Sequence, residues 1–275
     1  MMPGKSVTIP VVRMNGMIAA GGSSLRPTLS MAGVAEPLER AFSVKKAPAV
    51  AIVVNSPGGS PVQSRLIYKR IRDLAKEKGK KVHVFVEDVA ASGGYMIACA
   101  GDDITVDPSS IVGSIGVISS SFGFVEAIDK LGVERRVYTA GQNKSVLDPF
   151  LPAKKADIDR LKQLQLEIHA VFIDLVRDSR GSKLQEDDTL FTGAFWTGMA
   201  GKKLGLVDEI GDIRSTLRQR YGDKVELQVM EVKKGLFGRR SGNGIMLDKE
   251  SLVTAAVDRV AELAEEKALW ARYGL

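Results

Sequence analysis

The stretch "VNSPGGSP", Val54–Pro61, stands directly behind the apolar residues Ala51-Ile52-Val53. Two glycines are held between prolines where a buried strand ends. A reversing turn accepts that pattern, and so does a turn whose backbone N–H groups face a ligand. The residues around it decide what kind of sheet the strand joins. Short β-branched runs recur at Val7–Val12, Val50–Val54, Val82–Val86, Asp103–Val106 and Val133–Thr139, and each predicts a strand. Helical patterns lie between them. Gln63–Lys78 places Leu66, Ile67, Ile71 and Leu74 on one face. Phe124–Leu131 stops at Gly132, and Ala153–Ser179 repeats apolar residues from Ile158 to Leu175 at three- and four-residue steps before Gly181. Strands alternating with helices predict crossover connections and a largely parallel α/β core.

The chain has 275 residues, 44% hydrophobic and 26% charged, which suffices for one large α/β domain or two small ones. Its net charge of +6 is dispersed, and "KEKGKK" (Lys76–Lys81) has no aromatic platform beside it, so nucleic-acid binding has no support. The single Cys99 has no partner for an internal disulfide and reads as a buried, inert thiol. His83 alternates along "VHVFV" and His169 lies in a helical pattern. Neither has a Cys or carboxylate at metal-ligand spacing, so both read as structural and no metal is expected. "KKGLFGRRSGNG" (Lys233–Gly244) breaks the composition and reads as a tether. The expected organisation is an α/β domain over 1–232, a Gly/Arg-rich tether over 233–246 and an amphipathic helix over 247–275.

Chemistry is suggested in "EDVAASGGYMIACAG" (Glu87–Gly101). Ser92 follows a strand-like segment and precedes Gly93-Gly94 and a small-residue helix, a context that presents a hydroxyl beside free N–H groups. Ala90 stands where G-x-S-x-G needs its first glycine, so the α/β-hydrolase elbow does not fit. The competing reading of Ser92 is a plain helix N-cap. A nucleophilic serine needs a base, and neither histidine lies in a suitable motif. A neutral lysine amine is the other option. Lys144, in "YTAGQNKSVLDPF", has the small, weakly charged neighbourhood such a lysine requires, although a surface-loop lysine would look the same. Beside Ser92, the N–H groups of Gly59 and Gly93 become candidates for an oxyanion pair.

Four motifs, "VNSPGGSP", "VEDVAASGGYMIACAGDDITVDPSSIVGSIGV", "YTAGQNKSVLDPF" and "FWTGMAGKKLGLVDEIG", resemble in order those of signal peptide peptidase A-like serine peptidases, over roughly Val7–Gly211. The resemblance implies a Clp protease/crotonase-like α/β fold with a repeated ββα core, here with a C-terminal helical extension. It implies Ser92 as nucleophile, Lys144 as general base, and Gly59 and Gly93 as the oxyanion hole. Ser145 follows the base as in the family's "K-S", and Ser114 is a second candidate for orienting the amine. It also implies apolar, extended peptide substrates such as signal-peptide remnants, with no cofactor. The expected assembly is a homo-oligomeric ring or dome in which neighbouring subunits supply serine and lysine. The family's N-terminal membrane anchor has no counterpart in "MMPGKSVTIPVVRMNGMIAAGG". A cytoplasmic location is therefore expected, with membrane contact at most peripheral. Two alternatives remain beside the peptidase: a crotonase-type acyl-CoA enzyme and a catalytically silent, peptide-binding scaffold.

Overall fold

Ala49–Ser56 (β2) is buried at every position but Asn55, which requires a neighbouring strand on each edge and cover on each face. Both edges are taken in parallel, by β1 (Thr8–Asn15) and by β3 (Lys81–Ala91). The computed structural model describes residues 6–21, 28–141, 143–231, 264 and 267–275. The expected tether 233–246 and most of the expected helix 247–275 lie outside the described residues.

The eight strands among the described residues form one sheet. Beyond β1 lies β8 (Glu226–Val229), again parallel. The 11-residue β3 is shared along its length. Its first half pairs with β4 (Asp103–Val106), which in turn pairs with β7 (Glu209–Ile210). Its last three residues pair with β5 (Ile111–Gly113), and β6 (Phe195–Thr197) closes that edge antiparallel to β5. Ser92, directly after β3, therefore lies beside β5, next to the sheet edge that β6 closes.

Helices α1 (Met31–Phe42), α2 (Pro61–Lys78) and α3 (Gly93–Ala98) cover one face. Leu38, Phe42, Ile67, Ile71 and Leu74 pack there with Val12, Met14, Val50, Ile52, Val54 and Val84. The opposite face buries Ile9, Val11, Ala51, Val53 and Phe85 under Leu217 of α7 (Ile213–Tyr221). The short α4 (Val125–Lys130) and α6 (Gly198–Lys203) flank the long α5 (Lys155–Arg180) in the chain. The α/β class expected from the sequence is the one observed.

Local signals set the helix ends. Ser60 Oγ accepts from the Gln63 N–H, Pro61 takes the first helical position and Gly79 ends α2 at φ 61°. The expected helix from Gln63 thus begins two residues earlier. One other expectation is corrected. Val133–Thr139 forms no strand, for its β-branched residues find no partner strand among the described residues; Val133 and Tyr138 are 55% and 91% exposed. The helix expected over Ala153–Ser179 is present as α5, but only Phe172, Leu175, Val176 and Arg180 are buried. The apolar stripe through Ile158, Leu164, Ile168 and Val171 extends over the protomer's surface.

Candidate active site

The turn after β2 is built by hydrogen bonds on both sides. Ser56 Oγ donates to the Gly16 carbonyl (2.7 Å) and accepts from the Gly58 N–H (3.2 Å). Beyond it, the Ile18 N–H donates to the Gly58 carbonyl and the Ser60 N–H to the Ile18 carbonyl, each at 2.8 Å. These two bonds bracket Gly59 in a parallel bridge with Ile18, so Gly59's own N–H and C=O are directed away from Ile18. Gly58 and Gly59 have φ of 105° and 139°, values that a side chain rarely permits. A Cβ on Gly59 would run into the Ile18 carbonyl. One on Gly58 would lie 2.8 Å from Ser92 Cβ. The turn is thus pressed against the serine.

Ser92 leaves β3 with its N–H bonded to the Gly113 carbonyl at 2.8 Å, then turns at φ 52° and ψ −121°. For a residue with a Cβ this conformation costs about 1–3 kcal/mol. It sits at the N-cap of α3, yet its side chain makes no capping hydrogen bond. The hydroxyl is left for the adjoining space. The Gly93 N–H, in the first turn of α3, has no intrahelical acceptor.

That space is a cavity of about 510 Å³, lined by Ser92, Gly93, Gly59 and Ser114 together with Met96 and Phe172 among its apolar walls. Its size and mostly apolar lining fit a ligand site. Ser114, the second serine at φ 52°, is buried; its N–H donates to the Ala194 carbonyl (2.7 Å) and its Oγ accepts from Tyr273 Oη (3.2 Å).

Helix α3 is fixed from below. Tyr95 Oη donates to the Leu206 carbonyl at 2.7 Å and Ser179 Oγ to the Cys99 carbonyl at 2.6 Å. Burial pushes the Tyr95 phenol well above its ordinary value and the Cys99 thiol up to about 12. Arg180, buried beside them, donates to both Asp208 carboxylate oxygens (2.9 and 3.0 Å) and to the Gly205 carbonyl (2.9 Å). Burial acts to raise the Asp208 pKa, but the hydrogen bonds from Arg180 and Lys183 hold it below the usual carboxylate range.

Four of the six expected site residues, Ser92, Gly59, Gly93 and Ser114, line this one cavity. Lys144 and Ser145 do not. Lys144 is exposed in a turn where its N–H donates to the Gly141 carbonyl (3.3 Å), and Ser145 is half-buried beside it. Neither histidine lines the cavity. His83 Nδ1 lies 2.8 Å from Asp103 Oδ2 and its Nε2 2.7 Å from Tyr221 Oη, while His169 Nε2 lies 3.0 Å from the Ile115 carbonyl. Sequence reasoning missed Phe172, Thr192, Gly193, Leu269, Arg272 and Tyr273 as cavity residues. Phe172 and Leu269 carried a signal, each as part of an apolar helical stripe in need of a surface; the other four carried none.

Residues 74–227, more than half of the chain, match the model of "Peptidase family S49". The chain is 62% identical over 272 residues to the Na(+)/H(+) antiporter NhaA of Brucella abortus, covering 97% of this chain and 37% of that protein. It is 33% identical over 207 residues to a putative protease of Methanocaldococcus jannaschii (73% of this chain, 65% of that protein). It is 32% identical over 212 residues to a putative protease of Synechocystis (74% and 75%). The chain thus spans little more than a third of the antiporter relative, and no helix among its described residues is long and apolar enough to cross a membrane. Both the family match and the protease relatives embrace the strand–serine–glycine segment that forms the cavity floor, and the chain belongs to peptidase family S49, the signal peptide peptidase A-like serine peptidases.

Proposed function

We propose that the chain is an endopeptidase for apolar, extended peptides, with Ser92 as nucleophile and Lys144 of a second copy as general base. The observation that carries this reading is the Ser92 hydroxyl, which makes no capping bond and lines the cavity beside the two outward glycine amides. In the first step Ser92 Oγ attacks the scissile carbonyl and its proton passes to the neutral Lys144 amine. The N–H groups of Gly59 and Gly93 stabilise the oxyanion. Collapse breaks the C–N bond, the lysine ammonium protonates the leaving amine, and an acyl-enzyme remains. Water, deprotonated by the same amine, then attacks the ester, the ester C–O bond breaks, and the ammonium returns its proton to Ser92 Oγ as the acid is released.

A second copy as the source of the lysine accords with Lys144 lying in an exposed turn off the cavity. It also gives the exposed apolar stripe of α5 a surface to cover. A homo-oligomeric ring or dome would place each Lys144 at a neighbour's Ser92, with Ser114, already in the cavity, and Ser145 orienting its amine.

The test uses an apolar fluorogenic peptide. Ser92→Ala and Lys144→Ala are each expected to lose at least 10³-fold in kcat. Mixing the two inactive variants should restore activity, since hybrid assemblies contain intact Ser92–Lys144 pairs. Full activity in either variant would refute the dyad. Inactive singles with no rescue on mixing, despite shown subunit exchange, would refute the shared site.

A further inference from the structure

The chain's last residues return to the cavity. Trp270 packs with Val89 and Ala91 of β3 and Ile111 of β5. Tyr273 is 8% exposed, donates its hydroxyl to Ser114 Oγ and meets the Phe195 ring edge-on at 5.1 Å between centroids. These two anchors fix residues 269–273 as a wall beside the nucleophile, with Leu269, Arg272 and Tyr273 contributing to the lining. The wall lies beyond residues 74–227 matched by the family model, so family membership assigns it no role.

Its charge sets it apart. Among the described residues lining the cavity, Arg272 is the only charged side chain; the others are glycine, proline, apolar or neutral hydroxyl residues. Arg272 is solvent-exposed while lining the cavity. A guanidinium at the open side of an uncharged cleft offers a carboxylate two parallel N–H donors, and a bound peptide strengthens the pairing by displacing water.

We infer that Arg272 is a specificity-determining residue that selects peptides carrying a carboxylate next to their apolar residues. The inference rests on the reading of the Ser92 cavity as a peptide site. The carboxylate has two sources, an Asp or Glu side chain and the peptide's own C-terminus. Arg272 is the group that discriminates, and its anchors Trp270 and Tyr273 hold it in place.

The experiment measures anisotropy of fluorescent peptides on the full-length Ser92→Ala protein, where no turnover interferes. One pair of peptides differs only in Glu against Gln, a second in free against amidated C-terminus. At least one carboxylate form is expected to bind about tenfold more tightly than its neutral partner, a ratio typical of one charge-assisted pair. Arg272→Gln should bring that ratio to one with an unchanged melting temperature, and Arg272→Glu should invert it. In the Ser92-intact enzyme, Arg272→Gln should raise KM for the carboxylate peptide and leave kcat as it was. Equal binding of both members of both pairs, or a ratio that survives Arg272→Gln, overturns the inference. Discrimination by the Ser92→Ala protein without hydrolysis by the intact enzyme would support Arg272 while refuting the endopeptidase reading. Hydrolysis without discrimination would do the reverse.

Discussion

Gly58→Ala offers the sharpest test of how the turn and the nucleophile are coupled. The new Cβ would lie 2.8 Å from Ser92 Cβ, 2.9 Å from the Ala91 carbonyl oxygen and 3.0 Å from the Gly93 nitrogen, against 3.4–4 Å for ordinary contact. Two of these three atoms are backbone and have no rotamer to adopt. The turn and Ser92 must therefore separate by roughly 0.6 Å or more, and the residue must also hold φ 105°. Positive φ costs about 1–2 kcal/mol and overpacking about 1–3 kcal/mol, so a stability loss of about 2–5 kcal/mol is expected in urea unfolding. Displacing Gly59 N–H relative to Ser92 Oγ should lower kcat about 10²–10³-fold on the fluorogenic peptide, the usual effect of a lost oxyanion donor or a misplacement near 1 Å. Gly79→Ala is the control. It too has positive φ (61°), but a Cβ there meets nothing within 4 Å, so stability should fall by only about 1 kcal/mol with kcat unchanged. A Gly58→Ala enzyme with wild-type kcat and stability would refute the claim that this turn is pressed against the nucleophile.

Asp208→Asn leaves the Arg180 guanidinium, 1% exposed, without its carboxylate, and urea unfolding at neutral pH should show a loss of about 3–5 kcal/mol. Because Asp208 is held below the usual carboxylate range, its contribution is present above the unfolded pKa near 4 and is lost as pH falls through the lower folded value. The stability gap between wild type and Asp208→Asn should therefore narrow toward pH 3, and a constant gap would count against the pairing. The Cys99 thiol, pushed up to about 12, should resist a disulfide-exchange reagent in the native protein at about pH 8 and react after unfolding. As the unfolded thiol ionises first, native stability should fall relative to Cys99→Ala from about pH 9 upward; equal slopes for the two proteins would contradict the burial.

The sequence made the main sheet legible because β2 is a run of Ala, Val and Ile buried on both faces, and β1 and β3 carry β-branched residues through their buried stretches, a pattern with few other solutions. It made the floor of the site legible for a related reason: Gly58-Gly59 and Ser92-Gly93 each lie within a few residues of a strand end, so local chemistry marks them. Helix α1 was not legible. Pro37 lies inside it, and proline ordinarily argues against a helix interior. The two- and three-residue strands β5, β6 and β7 are too short for any periodicity, and they exist because neighbouring strands offer unpaired edges. Val133–Thr139 misled in the opposite direction, having strand composition without a strand to join.

By itself, then, the sequence determined the α/β class, the candidate nucleophile and the glycine turn that faces it, since these follow from residues near one another along the chain. Tertiary structure alone decided that Gly58 packs on Ser92, that Ser114 shares the cavity while Lys144 lies outside it, and that Tyr273 and Arg272 return from the chain's end to form a wall. Each is a meeting of segments separated by tens of residues or more. Such meetings are settled by how the whole core packs, and no local pattern records them.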